Sequence, residues 1–251
     1  MKLQRWWLPT TAILGLGGMV IAYPALQHSL QSFAWEQHQF QPKESPIINT
    51  ETSSLEPAKK SPADQVYAQV SPAVVTVYGA NGLGAGMILR SQGLVLTNKH
   101  IVDNFATVKI KMANMALYEG TVVDFDLRYD LALIQIKAPN LNLPTVTLSP
   151  TQNLKAGDRV YAIGSPGGQA GTLTQGTFTR LTEHGSLQTS TGLLSPGNSG
   201  GPLLNEQGIV VGVNKGLLTD KSGLATPVTA AKTLLQRYET IHGTRLGTAG
   251  K

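Results

Sequence analysis

Ser199 lies in the run Gly197-Asn198-Ser199-Gly200-Gly201-Pro202-Leu203, one hydroxyl set among residues with almost no side chain. Acyl transfer needs an accessible Oγ to attack a carbonyl, and nearby backbone N–H groups to hold the oxyanion that forms. A glycine-rich surface turn ahead of a strand would share the G-x-S-x-G spelling, so the rest of the chain must decide. The serine needs a base that titrates near neutrality, in practice a histidine. His28 and His38 precede the globular region, His242 follows the last helical pattern, and His184 falls in the turn-like Thr182-Glu183-His184-Gly185. His100 is better placed, where the apolar run Val95-Leu96 gives way to Thr97-Asn98-Lys99 and a short helix begins. A carboxylate must then fix the imidazole tautomer. Asp130 fits, since it opens the buried run Leu131-Ala132-Leu133-Ile134, where an unpaired carboxylate is costly. A turn or capping aspartate is the plainer reading of Asp130, and Asp124 and Asp126 read as solvated beside the Leu127-Arg128-Tyr129 turn.

Two frameworks can claim these residues. The nucleophile elbow of α/β-hydrolases needs its acid and histidine downstream of the serine, with a helix directly after it. Here only His242 lies downstream, and Pro202 and another strand-like run follow Ser199. The order His100, Asp130, Ser199 is instead that of the chymotrypsin-type double β-barrel.

The elements agree. With 27 glycines and 14 prolines punctuating short Val/Ile/Leu/Thr runs, the chain reads as all-β, and its 251 residues at 41% hydrophobic composition suffice to bury a core. Strands are expected at 73–78, 86–89, 94–97, 107–112, 120–125, 131–136, 159–163, 173–181, 186–189, 209–213 and 223–227. Their spacing leaves little room for crossover helices, so antiparallel barrels or a sandwich fit better than a parallel sheet. Val66 and Val70 suggest a short helix from Ala63. Ala231, Leu234, Leu235 and Tyr238 fall at helical spacing in a short C-terminal helix over 228–238. No internal repeat is evident. With no cysteine, disulfides, thiolate chemistry and Cys metal sites are excluded. Nothing calls for a cofactor or a metal. The net charge of +5 is scattered and aromatics are only 6%, which argues against nucleic-acid binding.

Residues 1–26 carry Lys2 and Arg5 and then an uncharged stretch from Trp6 to Leu26, flanked by Trp6, Trp7 and Tyr23. This is the pattern of a signal-anchor or transmembrane helix that leaves the rest of the chain extracytoplasmic. Secretion after signal cleavage near Ala34 is the alternative. Residues 27–62 turn polar and Pro/Ser/Glu-rich, a flexible linker. The protease-like domain is expected over 63–238, with a tail over 239–251.

The motifs resemble those of the HtrA/Deg family of trypsin-like serine proteases, over most of residues 63–228. Thr97-Asn98-Lys99-His100-Ile101-Val102 is similar to T-N-x-H-V-V, and Asp130-Leu131-Ala132-Leu133-Ile134 to D-L-A-V-L. Ala162-Ile163-Gly164-Ser165-Pro166 is similar to A-I-G-N-P. Leu187-Gln188-Thr189, with Ser195-Pro196-Gly197-Asn198-Ser199-Gly200-Gly201-Pro202-Leu203, resembles I-Q-T followed by N-P-G-N-S-G-G-P-L. The resemblance implies Ser199 as nucleophile, His100 as base and then acid, and Asp130 as the orienting carboxylate. It implies an oxyanion hole at Gly197, Asn198 and Ser199, with Asn198 holding the turn. It also implies an extracytoplasmic quality-control endopeptidase acting on unfolded or damaged proteins, and a homotrimer. Ser190 stands where the family has an aspartate, the segment from there to Pro196 is one residue longer, and the loop 181–186 is short. The chain stops soon after the domain, so the PDZ domain of the family is expected to be lacking. Leu193, Leu194, Val213, Asn214 and Lys215 are expected around the primary substrate pocket, with Val211 on its wall; without a carboxylate there, the expectation is cleavage after small or medium aliphatic residues. A protease-like binding module with an unassembled active site is the alternative function.

Overall fold

The computed structural model describes residues 60–79, 82–151, 153–168 and 171–248. The expected membrane segment, and the linker up to residue 59, lie outside these. Among the described residues no helix is long and apolar enough to cross a membrane.

The domain opens with helix α1 (Pro62–Val70), started by a capping box in which Ser61 and Asp64 satisfy each other's backbone N–H groups. Twelve strands follow: β1 (Val74–Gly79), β2 (Gly82–Arg90), β3 (Leu94–Asn98), β4 (Thr107–Lys111), β5 (Leu117–Asp126), β6 (Leu131–Ile136), β7 (Arg159–Gly164), β8 (Thr172–Leu181), β9 (Leu187–Thr191), β10 (Pro202–Leu204), β11 (Val210–Leu217) and β12 (Ser222–Pro227). A four-residue helix, α2 (Lys99–Val102), follows β3. Helix α3 (Val228–Thr248) closes the domain. The strands form two closed antiparallel barrels, β1-β2-β3-β6-β5-β4 and β10-β11-β12-β9-β8-β7. The double barrel is thus as expected, with one strand more than the eleven read from the sequence. That strand is β10, only three residues long and opened by Pro202.

Period-two alternation explains why the central strands look apolar throughout. In β6, Ala132, Ile134 and Ile136 fill the first barrel, while Leu131 and Leu133 face outward into a second apolar layer. In β7, Val160 and Ala162 fill the second barrel, and Tyr161 and Ile163 join that same outer layer. The shared layer is the seam between the barrels, and α1 and α3 extend it through Val66, Val70, Ala231, Leu234 and Leu235. Every one of these seam leucines is at least 94% buried. Truncating one to alanine removes contacts on both barrels and costs about 2–5 kcal/mol.

The C-terminal helix runs ten residues past Tyr238, into the stretch read as a tail (238 to 248). Polar side chains there bond to the preceding turn: Thr240 Oγ1 donates to the Gln236 carbonyl at 2.8 Å, and the His242 ring lies 4.1 Å from that of Tyr238. Arg237 also clamps the helix to the first barrel, donating to both carboxylate oxygens of Asp124 and to the Phe125 carbonyl. Its hydrogen bonds to Asp124 raise the guanidinium pKa above its ordinary value.

Candidate active site

Asp130 occupies the connection between β5 and β6, with φ at 56°, a left-handed conformation that aspartate tolerates better than most residues. Four hydrogen bonds hold it against the start of α2. Its carbonyl accepts from Asn98 Nδ2 at 2.9 Å and from the Lys99 N–H at 3.1 Å. Its carboxylate accepts from the His100 N–H at 2.9 Å through Oδ1, and meets His100 Nδ1 at 2.7 Å through Oδ2. An ionised carboxylate only accepts, so the proton between them resides on Nδ1, and in the neutral ring Nε2 then carries the lone pair. The Asp130 side chain is 17% exposed and that of His100 47%, so the carboxylate is sheltered while the imidazole reaches the cleft. Among the described residues nothing hydrogen-bonds His100 Nε2.

Ser199 comes from the second barrel, in the connection between β9 and β10. The turn before it is built by sequence: Pro196 and Gly197 are its central residues, Gly197 has φ 101°, and the Asn198 N–H returns to the Ser195 carbonyl at 3.0 Å. Proline then a left-handed glycine is the type II pattern. A Cβ on Gly197 would also lie 2.6 Å from Pro166 Cα. Two strands clamp the segment after it. The Ser199 carbonyl accepts from the Ala85 N–H of β2 at 2.8 Å, and the Gly200 N–H donates to the Asn214 carbonyl of β11 at 2.8 Å. At Gly200, φ is 85°, and a Cβ would sit 2.2 Å from the Ala85 carbonyl oxygen and 2.3 Å from Thr97 Oγ1. Only glycine lets the serine turn dock this closely on the first barrel. The Ser199 hydroxyl donates to the Lys215 carbonyl at 3.1 Å. Among the described residues the Gly197 and Ser199 N–H groups have no intramolecular partner, whereas that of Asn198 is used in the turn. Asn198 is buried, with Nδ2 directed to the Leu193 carbonyl at 3.5 Å.

A cavity of about 220 Å³ opens beside Ser199, lined by Leu194, Ser195, Pro196, Asn198, Gly216 and Leu217, with no charged side chain. Of the five residues expected there, only Leu194 lines it. Leu193 and Val213 are fully buried in the core, and Asn214 is fully buried with Nδ2 on the Pro202 carbonyl at 3.0 Å. The cause lies in β11, where the pairing with β12 slips between Asn214 and Gly216. Lys215 is the extra residue of this bulge, and it borders a different cavity. Gly216 and Leu217 thereby take the wall expected of Val211, Val213 and Asn214. Val211 borders a separate depression with Ser149 and Asn205. Ser190, in place of the family's aspartate, accepts from the Thr177 N–H at 3.1 Å and so serves the barrel wall.

Among known proteins, the model of the trypsin-like peptidase domain matches residues 84–213. The probable periplasmic serine endoprotease DegP-like of Pseudomonas putida is 38% identical over 151 residues, covering 57% of this chain and 31% of that protein. Serine protease HTRA4 of Homo sapiens is 36% identical over 165 residues, covering 62% of this chain and 34% of that one. The crystal structure of the serine endoprotease from Yersinia pestis superposes with a TM-score of 0.65 at 31% identity, over 72% of this chain and 68% of that chain. The chain spans about a third to two-fifths of the length of the curated relatives it matches. The double barrel, the glycine turn docked between Ala85 and Asn214, and these matches over its central residues agree: the chain belongs to the trypsin-like peptidase domain family, closely related to the HtrA and DegP proteases.

Proposed function

We propose that the domain is a serine endopeptidase in which Ser199 is the nucleophile, His100 the base and then the acid, and Asp130 the carboxylate that orients the imidazole. The observation that carries this reading is the 2.7 Å contact of His100 Nδ1 with Asp130, which leaves Nε2 free to take a proton. In the first step Nε2 takes the Ser199 proton as Oγ attacks the substrate carbonyl. The free N–H groups of Gly197 and Ser199 are suited to hold the oxyanion, and loss of one such donor raises the barrier by about 3 kcal/mol. The imidazolium, stabilised by Asp130, then gives its proton to the leaving amine. Water releases the acyl group from Oγ by the same route in reverse.

The uncharged cavity beside Ser199 supports cleavage after small or medium aliphatic residues, and Leu194 and Leu217 give it an apolar wall. A peptide library profiled at the cleaved position checks this preference, and a strong preference for Lys or Arg there overturns it. The named similarity to a periplasmic endoprotease supports action outside the cytoplasm. The resemblance of the motifs to the HtrA/Deg family supports unfolded or damaged proteins as the substrates. Residues 1–26 supply the membrane attachment in this reading.

One observation favours a second reading, a binding module whose triad is unassembled at rest: the Ser199 hydroxyl is bonded to the Lys215 carbonyl. Rotation about Cα–Cβ to another staggered well would carry Oγ away from that acceptor. Labelling with a fluorophosphonate probe separates the two readings. The protein is expected to label, Ser199→Ala is not, and absence of labelling under any condition favours the binding module.

A further inference from the structure

We infer that the second cavity beside the nucleophile is a subsite for an acidic side chain of the substrate, on the amino-terminal side of the scissile bond; this rests on the peptide-cleaving reading above. The cavity holds about 400 Å³ and is walled by Arg128, Tyr129, Glu183, His184, Lys215 and Thr226. It adjoins the reaction centre through a single residue. The Lys215 carbonyl takes the Ser199 hydroxyl, while Lys215 also borders this cavity and the next two residues, Gly216 and Leu217, line the primary one.

The backbone there is arranged to receive an extended chain. Strand β10 pairs with β11 only as far as Val213, and the Asn214 N–H and carbonyl are then taken by Gly201 and Gly200. Beyond them, Lys215 bulges out and Gly216 and Leu217 pair only with β12, which leaves their other edge without a strand partner. A substrate strand laid on that edge, with its reacting residue in the 220 Å³ cavity, passes the Lys215 cavity with the residues that precede the bond.

The charge in the cavity selects the side chain. Four basic residues elsewhere are matched to carboxylates: Arg90 with Glu239, Lys137 with Glu119, Arg159 with Glu206 and Arg237 with Asp124. Among the described residues neither Arg128 nor Lys215 has such a partner. Arg128 is instead laid over the Tyr129 ring at 5.3 Å, a stacking that leaves the guanidinium edge free to donate. The Tyr129 carbonyl is tied down by Thr226 Oγ1 at 3.0 Å, which fixes that wall. Glu183 brings one negative charge against these two positive ones, and among the described residues it forms no ion pair. With Arg128 and Lys215 both on its lining, this half-enclosed space favours an incoming carboxylate, which Arg128 can grip with two parallel donors.

Fluorogenic peptides with alanine or valine at the cleaved position, carrying Glu or Gln at the second, third or fourth residue before it, test the subsite. Turnover is measured with the wild-type chain, and binding with Ser199→Ala by fluorescence anisotropy. At one position Glu is expected to exceed Gln about three- to ten-fold in kcat/KM and in affinity at low salt, less at high salt. Arg128→Gln and Lys215→Gln are expected to bring that ratio toward one, and Arg128→Glu to turn it in favour of Lys over Gln. A ratio of one or below at all three positions, or one that both substitutions leave unchanged, overturns the subsite. Turnover with a ratio of one sinks the subsite and keeps the peptidase; a Glu preference in binding without turnover keeps the subsite and sinks the peptidase. Failure of any peptide to bind or turn over sinks both.

Discussion

The two barrels are built on one plan. Numbered from its own first strand, each closes in the order 1-2-3-6-5-4, and the connection between strands 3 and 4 carries His100 in the first and Ser199 in the second. The connection between strands 5 and 6 holds an aspartate in both, Asp130 in one and Asp220 in the other. The two aspartates are used differently. Asp220 bonds to its own strand, accepting from the Ser222 hydroxyl at 2.6 Å and the Ser222 N–H at 2.9 Å. Asp130 reaches across to α2 and fixes the imidazole. The first barrel positions its functional group by hydrogen bonds to a carboxylate. The second does so by removing side chains, so that the Ser199 turn can press against Ala85. One scaffold thus supports a rigid, charge-held half-site and a close-packed, glycine-held one.

The charge-held half is broken most severely by Asp130→Asn. Asparagine keeps the shape and tolerates the positive φ, but its amide can drive the imidazole into the wrong tautomer, so kcat is expected to fall about 10⁴-fold. Steady-state kinetics on a peptide substrate, with circular dichroism to confirm the fold, measure this. A loss below ten-fold would place the essential carboxylate elsewhere. The glycine-held half is probed by Gly200→Ala, whose Cβ would need the turn to back away from Ala85. A displacement of about 1 Å is expected to lower kcat about 10²-fold, with a lower thermal midpoint. Unchanged kinetics would mean that the close docking does not position the nucleophile.

The smallest effect is expected at Asp220→Asn. The Ser222 hydroxyl, and then its N–H, hold the Asp220 carboxyl below the ordinary carboxylate range. A carboxyl depressed in the folded state adds stability above its unfolded pKa, near 4, and that part is lost as the pH falls through the folded value. The wild-type chain is therefore expected to lose slightly more stability in acid than the variant, as read by urea melts on both sides of pH 4. Indistinguishable acid limbs would show that the local bond does not contribute.

The strands were legible wherever both faces are buried, as in β3 and β6, because most residues of such a strand are apolar, for one barrel or for the seam. At β5 the sequence reading began at Gly120, three residues late, since the exposed Leu117 and Glu119 offer no alternation. The repeated barrel plan left no mark, because backbone pairing repeats while side chains at matching places do not. The contact of His100 with Asp130 and the glycine turn at Ser199 were legible through their neighbours: a strand end, a buried run and a row of glycines. The primary cavity was not. Its wall depends on the bulge at Lys215, which shifts every later side chain by one place, and Asn214-Lys215-Gly216 gives no local signal of it beyond a glycine in a strand.

The docking of the Ser199 turn also orders events during synthesis. Chains emerge amino terminus first, and folding can begin on what has emerged. His100 and Asp130 lie within one barrel and can meet once β6 is out. The Ser199 turn is clamped on both sides only after Asn214 has been made, because the Gly200 N–H and the Gly201 carbonyl close on β11. In the proposed reading a growing chain therefore carries its base long before a positioned nucleophile, and while the unfinished chain is most open to cleavage it holds no assembled site with which to cut.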